Sequence, residues 1–368
     1  MSKYNKKIES SVRIQRSVIV FEQAIRSDSY RYQCRYWLKR FIKFHKIKDA
    51  DSLLTIEVKK LQEMIEDYIF HIKKTFQPNA VSKPMYALSL FFAVNDVTLN
   101  WIKIRKFIPK QESQTSGKRA YTNQEVKTLL ESAIKPNHKA LILVMASSGV
   151  RDQFVEDLKL KHLKEMPHDC LAMTVHPDTV YEYTTFINSE AKEALNKSFE
   201  YRKKQGENLN QESPVFATCN AKSMTAMNVC SILSRIARRS LTRKIIFTNP
   251  NTNKNRYDVM SSYGLRKRFN TIMKMTEGVN SHIAERMMSH KSQTIKLDTS
   301  YFSPTVEQSF NEYLKAMPQL FISDSLRLKV ELDSKQNKID DLESLKGRIL
   351  LLESQRLEIQ EHMKNLKV

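Results

Sequence analysis

Apolar residues recur at three- and four-residue intervals in the first part of the chain. The period runs through Ser29 to Lys46, where Tyr36, Phe41 and Phe44 alternate with Arg and Lys, then through Val58 to Ile72 and Val81 to Val94. This spacing predicts a small helical bundle with basic outer faces. Pro109 to Arg119 (PKQESQTSGKR) is polar and is predicted to be a linker. A capping-box pattern, Thr122 to Glu125, opens a new run of periodic apolar residues at Val126. Leu141 to Ala146 is apolar on every side, which predicts a buried helix, and Ser147-Ser148-Gly149 is its stop signal. Leu171 to Val175 and Tyr181 to Ile187 are rich in strand formers and flank His176-Pro177-Asp178-Thr179, a turn composition, so a hairpin is expected. Helices follow at Glu190 to Lys204, Asn228 to Leu241, Leu265 to Met275 and Ile283 to Met288, with Gly206 to Pro214 as loop. In Ser323 to Val368, Leu342, Leu345, Ile349, Leu352, Ile359, Met363 and Leu366 keep a heptad, and Arg356 breaks the seam. That segment predicts a coiled coil, a helical hairpin, or one amphipathic helix folded onto its own core.

The expected architecture is therefore mainly α with a small β-sheet. A helical domain spans 1–108, a linker 109–119, a second domain 120–322 and a helical tail 323–368. Net charge adds a partner. The 368 residues hold 61 Lys+Arg against 40 Asp+Glu, a formal charge of +21. Such a surplus favours a polyanion, because each neutralised phosphate releases condensed counterions. Cys34, Cys170, Cys219 and Cys230 are scattered, with no paired spacing for zinc or a disulfide framework. No signal-peptide core, membrane-length apolar run or Gly-rich phosphate loop occurs. The expectation is a cytoplasmic, nucleoid-associated protein with no cofactor, no metal, no membrane and no small-molecule substrate.

The candidate chemistry lies in the second domain. Breaking a phosphodiester without metal or water needs a nucleophilic hydroxyl, cations on the non-bridging oxygens, and a proton for the leaving oxygen. Arginine suits the clamp, since its planar fork takes two phosphate oxygens and keeps its charge. A tyrosine suits the nucleophile, because its phenolate can attack and later leave. In chain order the sequence offers Ser147-Ser148-Gly149-Val150-Arg151, then Tyr263-Gly264-Leu265-Arg266, then Met288-Ser289-His290, then Tyr301. The order and intervals resemble the tyrosine recombinase (phage integrase) family, whose catalytic domain carries an arginine after a T/S-G-x turn, an H-x-L-R motif, an L-G-H motif and a tyrosine about ten residues on. LRKRFNTIMK, VNSHIAERMMSHK and EYTTFINSEAKEALNKSFEYRKKQGE are similar in particular to archaeal members. The resemblance spans roughly Arg119 to Ile322.

The resemblance implies that 1–108 is a core-binding domain and 120–322 the catalytic domain, closing on duplex DNA as a homo-oligomer, expected to be a tetramer. It implies clamp arginines Arg151 and Arg266, a phosphate-supporting His290 and the nucleophile Tyr301, with Tyr313 the next tyrosine to consider. Tyr263 stands where the family has the histidine of H-x-L-R. Phe154 stands where many relatives have Glu. The family's hairpin turn carries a proton-donating lysine, yet no lysine occurs between Lys164 and Lys192, and Val180 occupies the place. His176 is the nearest titratable substitute, and a lysine from another loop is a further option. Three activities stay open: an active site-specific recombinase of a mobile element, a degenerate relative that binds its sites without cutting, and a topoisomerase-like nicking and closing enzyme.

Overall fold

The computed structural model describes residues 15–76, 78–109, 119–248, 253–290 and 302–365. The chain falls into two compact units, Met1–Gln114 and Thr115–Val368.

The first unit is helical. It comprises α1 (Arg16–Gln23), α2 (Asp28–Phe44), α3 (Val58–Ile72), α4 (Pro78–Val94) and α5 (Trp101–Lys106). Phe21, Phe41, Leu61, Ile65, Phe91 and Phe92 are fully buried between them. The periodicity located α2, α3 and α4, but not α1, α5 or every inward face. In α2 the buried stripe is Cys34, Trp37, Leu38 and Phe41. Tyr36 stays about half exposed, and the Arg40 guanidinium lies over its ring. Phe44 sits at the edge of the core, against His45, Tyr68 and His71.

The second unit is built around α7 (Pro136–Ser148), which follows α6 (Asn123–Ser132). The predicted capping box is present at α6: Thr122 Oγ1 accepts from the Glu125 N–H, and the Glu125 carboxylate accepts from the Thr122 N–H. Such caps contribute ~1 kcal/mol. Every residue of α7 from Ala140 to Ser148 is buried, so its apolar surround is core on all sides. Around it pack α9 (Ser189–Lys204), α11 (Tyr263–Met275) and an antiparallel sheet in the order β1 (Leu163–Met166), β2 (Cys170–Val175), β3 (Tyr183–Ile187). The β2–β3 hairpin matches expectation, with Val175 opposite Tyr183. β1 is too polar (Leu-Lys-Glu-Met) to show in the pattern.

Between β1 and α7 runs the short α8 (Phe154–Asp157). After α10 (Ala226–Ser240) an unforeseen two-stranded hairpin appears, β4 (Ile245–Thr248) and β5 (Asn255–Tyr257), whose residues are exposed or half-buried. A second apolar core joins α11, α12 (Ser281–Met287) and α13 (Val306–Leu320) to the sheet through Phe186, Phe269, Phe310 and Met317. The tail is one helix, α14 (Asp324–Asn365). It is not a helical hairpin, and among the described residues its start folds onto the core, through Leu326 and Val330. Among the described residues no helix is long and apolar enough to cross a membrane.

Candidate active site

Two glycines set the arginine positions. Gly149 ends α7 in the left-handed region, at φ 64°, and a Cβ there would lie 2.3 Å from the Phe269 ring. The helix can therefore stop and turn against α11 only with glycine, and two residues on the chain presents Arg151 at the surface. Gly264, in the first turn of α11, lies so close to Tyr121 and Val259 that a Cβ would come within 2.8 and 2.7 Å. That close approach seats Arg266 two residues further along, 3% exposed.

The Arg266 guanidinium is held from three sides. It donates to the Gly149 carbonyl, to the Met288 carbonyl at 2.6 Å and to His290 Nε2 at 2.7 Å. Burial, then the field of Arg151, pushes its pKa down to about 10. Arg151 Nη1 reaches the same Met288 carbonyl at 3.3 Å. Met288 and Ser289 form the end of α12. Ser289 adopts φ 54°, and the His290 N–H returns to the Glu285 carbonyl at 2.9 Å. This left-handed cap swings His290 back toward α11, and Ser289 holds the glycine place of L-G-H.

His290 is fixed at both nitrogens. Nδ1 bonds the Glu285 carboxylate, while Nε2 accepts from Arg266. An acceptor at Nε2 requires the neutral ring with its proton on Nδ1. The electrostatics agree: burial and then Arg266 hold the imidazole below its usual pKa, and Glu285 only partly opposes them. Glu285 also takes an ion pair from Lys274 of α11. Burial draws its carboxyl upward, but the bonds from Lys274 and His290 outweigh this and hold it below the ordinary value.

These groups edge a cleft whose lining includes Arg151, His176, Val180, Tyr183, Lys274, Glu285 and His290. His176 opens the β2–β3 turn at φ 53°, with Nδ1 3.4 Å from Asp157. Val180, 92% exposed, is on the same turn. The structure thus brings Arg151, Arg266, His290 and His176 to one place. Tyr263 does not line the cleft; it is partly exposed at the start of α11, with Lys267 over its ring. Tyr301 lies outside the described residues. Tyr313 is corrected as an alternative nucleophile, being 0% exposed and packed against Phe186 and Phe310. Phe154, where the resemblance implies a Glu, is core, edge-on to Phe216.

Three residues of the cleft were not read from the sequence. Tyr183 is the largest omission: it lines the cleft, and burial raises its pKa against the pull of Arg266 and Arg151. A tyrosine inside a strand-rich run gives no signal of that placement. Glu285 had a signal in its place on the short helix just before His290. Lys274 is a lysine from another element, as the absence of one in the turn invites. No group of His, Cys, Asp and Glu among the described residues is arranged to hold a metal.

No protein-family model and no curated protein matches the chain. Solved structures do. The Tn1549 transposon integrase in complex with transposon right end DNA aligns over 80% of this chain and 98% of its own, at 14% identity and a TM-score of 0.53. The fold is that of a tyrosine recombinase. A lambda integrase dimer bound to a core site aligns over 74% of this chain and 98% of its own, with 14% identity and a TM-score of 0.46. The integrase from mycobacterium phage Brujita covers 85% and 95%, with 15% identity and a TM-score of 0.40. The mainly helical architecture with small antiparallel sheets agrees with that fold.

Proposed function

We propose that this chain is a site-specific DNA recombinase that cuts and rejoins duplex DNA for a mobile element through a covalent 3′-phosphotyrosine at Tyr301. The observation that carries the proposal is the convergence of Arg151 and Arg266, from segments more than a hundred residues apart, on the Met288 carbonyl, with Arg266 also donating to His290. Two adjacent guanidiniums beside an open cleft repel one another, and a phosphate between them relieves that repulsion. In the proposed step the Tyr301 oxygen attacks phosphorus, the bond to the 5′ oxygen breaks, and that oxygen takes a proton. The arginines hold the charge that builds on the non-bridging oxygens. Rejoining reverses the step without ATP, since the phosphotyrosine keeps the bond energy.

A net charge of +21 and the DNA named in the transposon and lambda integrase structures support duplex DNA as the partner. The core-binding and catalytic roles of 1–108 and 120–322, and the similarity to archaeal members, belong to the same proposal. A second reading, binding without cutting, is favoured by Val180 at the tip of the turn, where a valine cannot donate a proton. A nicked suicide duplex decides between them. A covalent protein–DNA adduct supports the recombinase, and a folded, DNA-bound protein that forms none supports the second reading.

A further inference from the structure

Beyond Val330 the tail helix leaves its own core. Leu332, Leu342, Leu345, Ile349, Leu352 and Ile359 are each between 51 and 66% exposed. The helix from Asp324 to Asn365 is 42 residues long, about 63 Å at the α-helical rise. A helix of this length with a leucine stripe in water gains by covering that stripe.

We propose that the stripe is covered by the same helix of a second copy of this chain, in a parallel, in-register, two-stranded coiled coil. The pattern of the residues selects this occupant. Leu342, Ile349 and Arg356 fall on the a positions of the heptad, and Leu345, Leu352 and Ile359 on d. Arg348 then occupies g and Glu353 the following e. In a parallel, in-register pair those two positions face each other across the seam, so Arg348 of one copy meets Glu353 of the other, twice by symmetry. Within one helix residues five apart point in different directions and do not meet, so the match serves only a pair of helices. An antiparallel pair puts g beside g and e beside e, which breaks it. Arg356 at an a position selects two strands, since two long stems can run out along the seam to water while three converging cations cannot be accommodated. Gly347 falls on f, the outer face, with no atom within 4 Å of where a Cβ would sit. The proposal does not depend on recombination chemistry.

The test is sedimentation of the full chain without DNA, at tens of micromolar, with far-UV circular dichroism confirming the fold of each variant. Wild type should be a dimer. Glu353→Arg and Arg348→Glu should each weaken dimerisation at least tenfold, and the double exchange in one chain should restore it. Leu352→Cys in a Cys219→Ser, Cys230→Ser background should oxidise to a covalent dimer, because d-layer cysteines meet only when the helices are parallel and in register. A monomeric wild type, a larger assembly, a double exchange that does not recover, or a dimer that fails to cross-link overturns the proposal.

Discussion

Arg151 and Arg266 share one acceptor, the Met288 carbonyl, but they hold it on different terms. Arg266 is buried and satisfies two carbonyls and a histidine, whereas Arg151 is exposed and makes one long bond. Their alanine variants should separate stability from chemistry. Arg266→Ala leaves the Gly149 and Met288 carbonyls short of a donor, a cost of ~1–3 kcal/mol, so its melting temperature should fall. Arg151→Ala should melt within ~0.5 kcal/mol of wild type. Both should lose cleavage by about 10²–10³, the usual loss for a donor aimed at transition-state charge. Thermal melts beside suicide-substrate kinetics check this; equal loss of binding and cleavage would make Arg151 an ordinary phosphate contact.

Glu285 should tune the acid limb of the cleavage profile. Nε2 of His290 accepts from Arg266 only while the ring is neutral. As pH falls through the His290 pKa, Nε2 gains a proton and two donors face each other, so Arg266 is displaced and cleavage drops. Burial and Arg266 hold that pKa below the ordinary histidine value, so the drop should come below about 6.5. The Glu285 charge favours the imidazolium, and Glu285→Gln keeps an acceptor but removes the charge. Its limb should therefore move to still lower pH, with the plateau held within a few fold. Single-turnover rates across pH measure it, and an unmoved limb would show that the Glu285 charge does not act on His290.

The fold was more legible than the site, for a physical reason. Burial writes itself into sequence as periodicity: α7 is buried on every side and reads as continuous apolar sequence, and Thr122 to Glu125 declare their helix start. Elements that bury little leave no such trace, as with β1 and the β4–β5 hairpin. In the site, Arg151, Arg266 and His290 were found because three motifs recur in order. Tyr183 and Lys274 escaped, since a side chain's approach to a distant arginine or carboxylate depends on packing that no local spacing records. The tail gave its heptad but not its continuity, because the same leucines serve a hairpin or one long helix.

Burial also removes Tyr313 from consideration. Tyr313 is fully enclosed, and enclosure raises its pKa well above that of a free phenol, so it can neither reach phosphorus nor ionise readily. Tyr313→Phe should leave adduct formation within about twofold and change stability by no more than ~1 kcal/mol. Tyr301→Phe should abolish the adduct while leaving DNA binding intact, because only the phenolic oxygen is consumed. Adduct gels with matched binding isotherms read both; an adduct formed by the Tyr301 variant would move the nucleophile elsewhere.

The proton for the leaving oxygen is the sharpest test of the cleft. Val180 cannot supply it, and the candidates to test among the titratable groups of the cleft are His176 on the turn and Lys274, held by Glu285. His176 is the first donor to test because it lines the cleft from the β2–β3 turn. Only its protonated ring can donate to the leaving oxygen, so removing the ring should remove that proton. His176→Asn is the suitable variant, since asparagine tolerates the left-handed backbone found there. It should fail on a normal duplex yet cleave one with a 5′-bridging sulfur, whose leaving group needs no proton. Val180→Lys should raise cleavage at high pH. If Lys274→Gln shows the sulfur rescue instead, the donor comes from α11. If folded, DNA-bound wild type cleaves neither duplex, the protein binds its sites without cutting them.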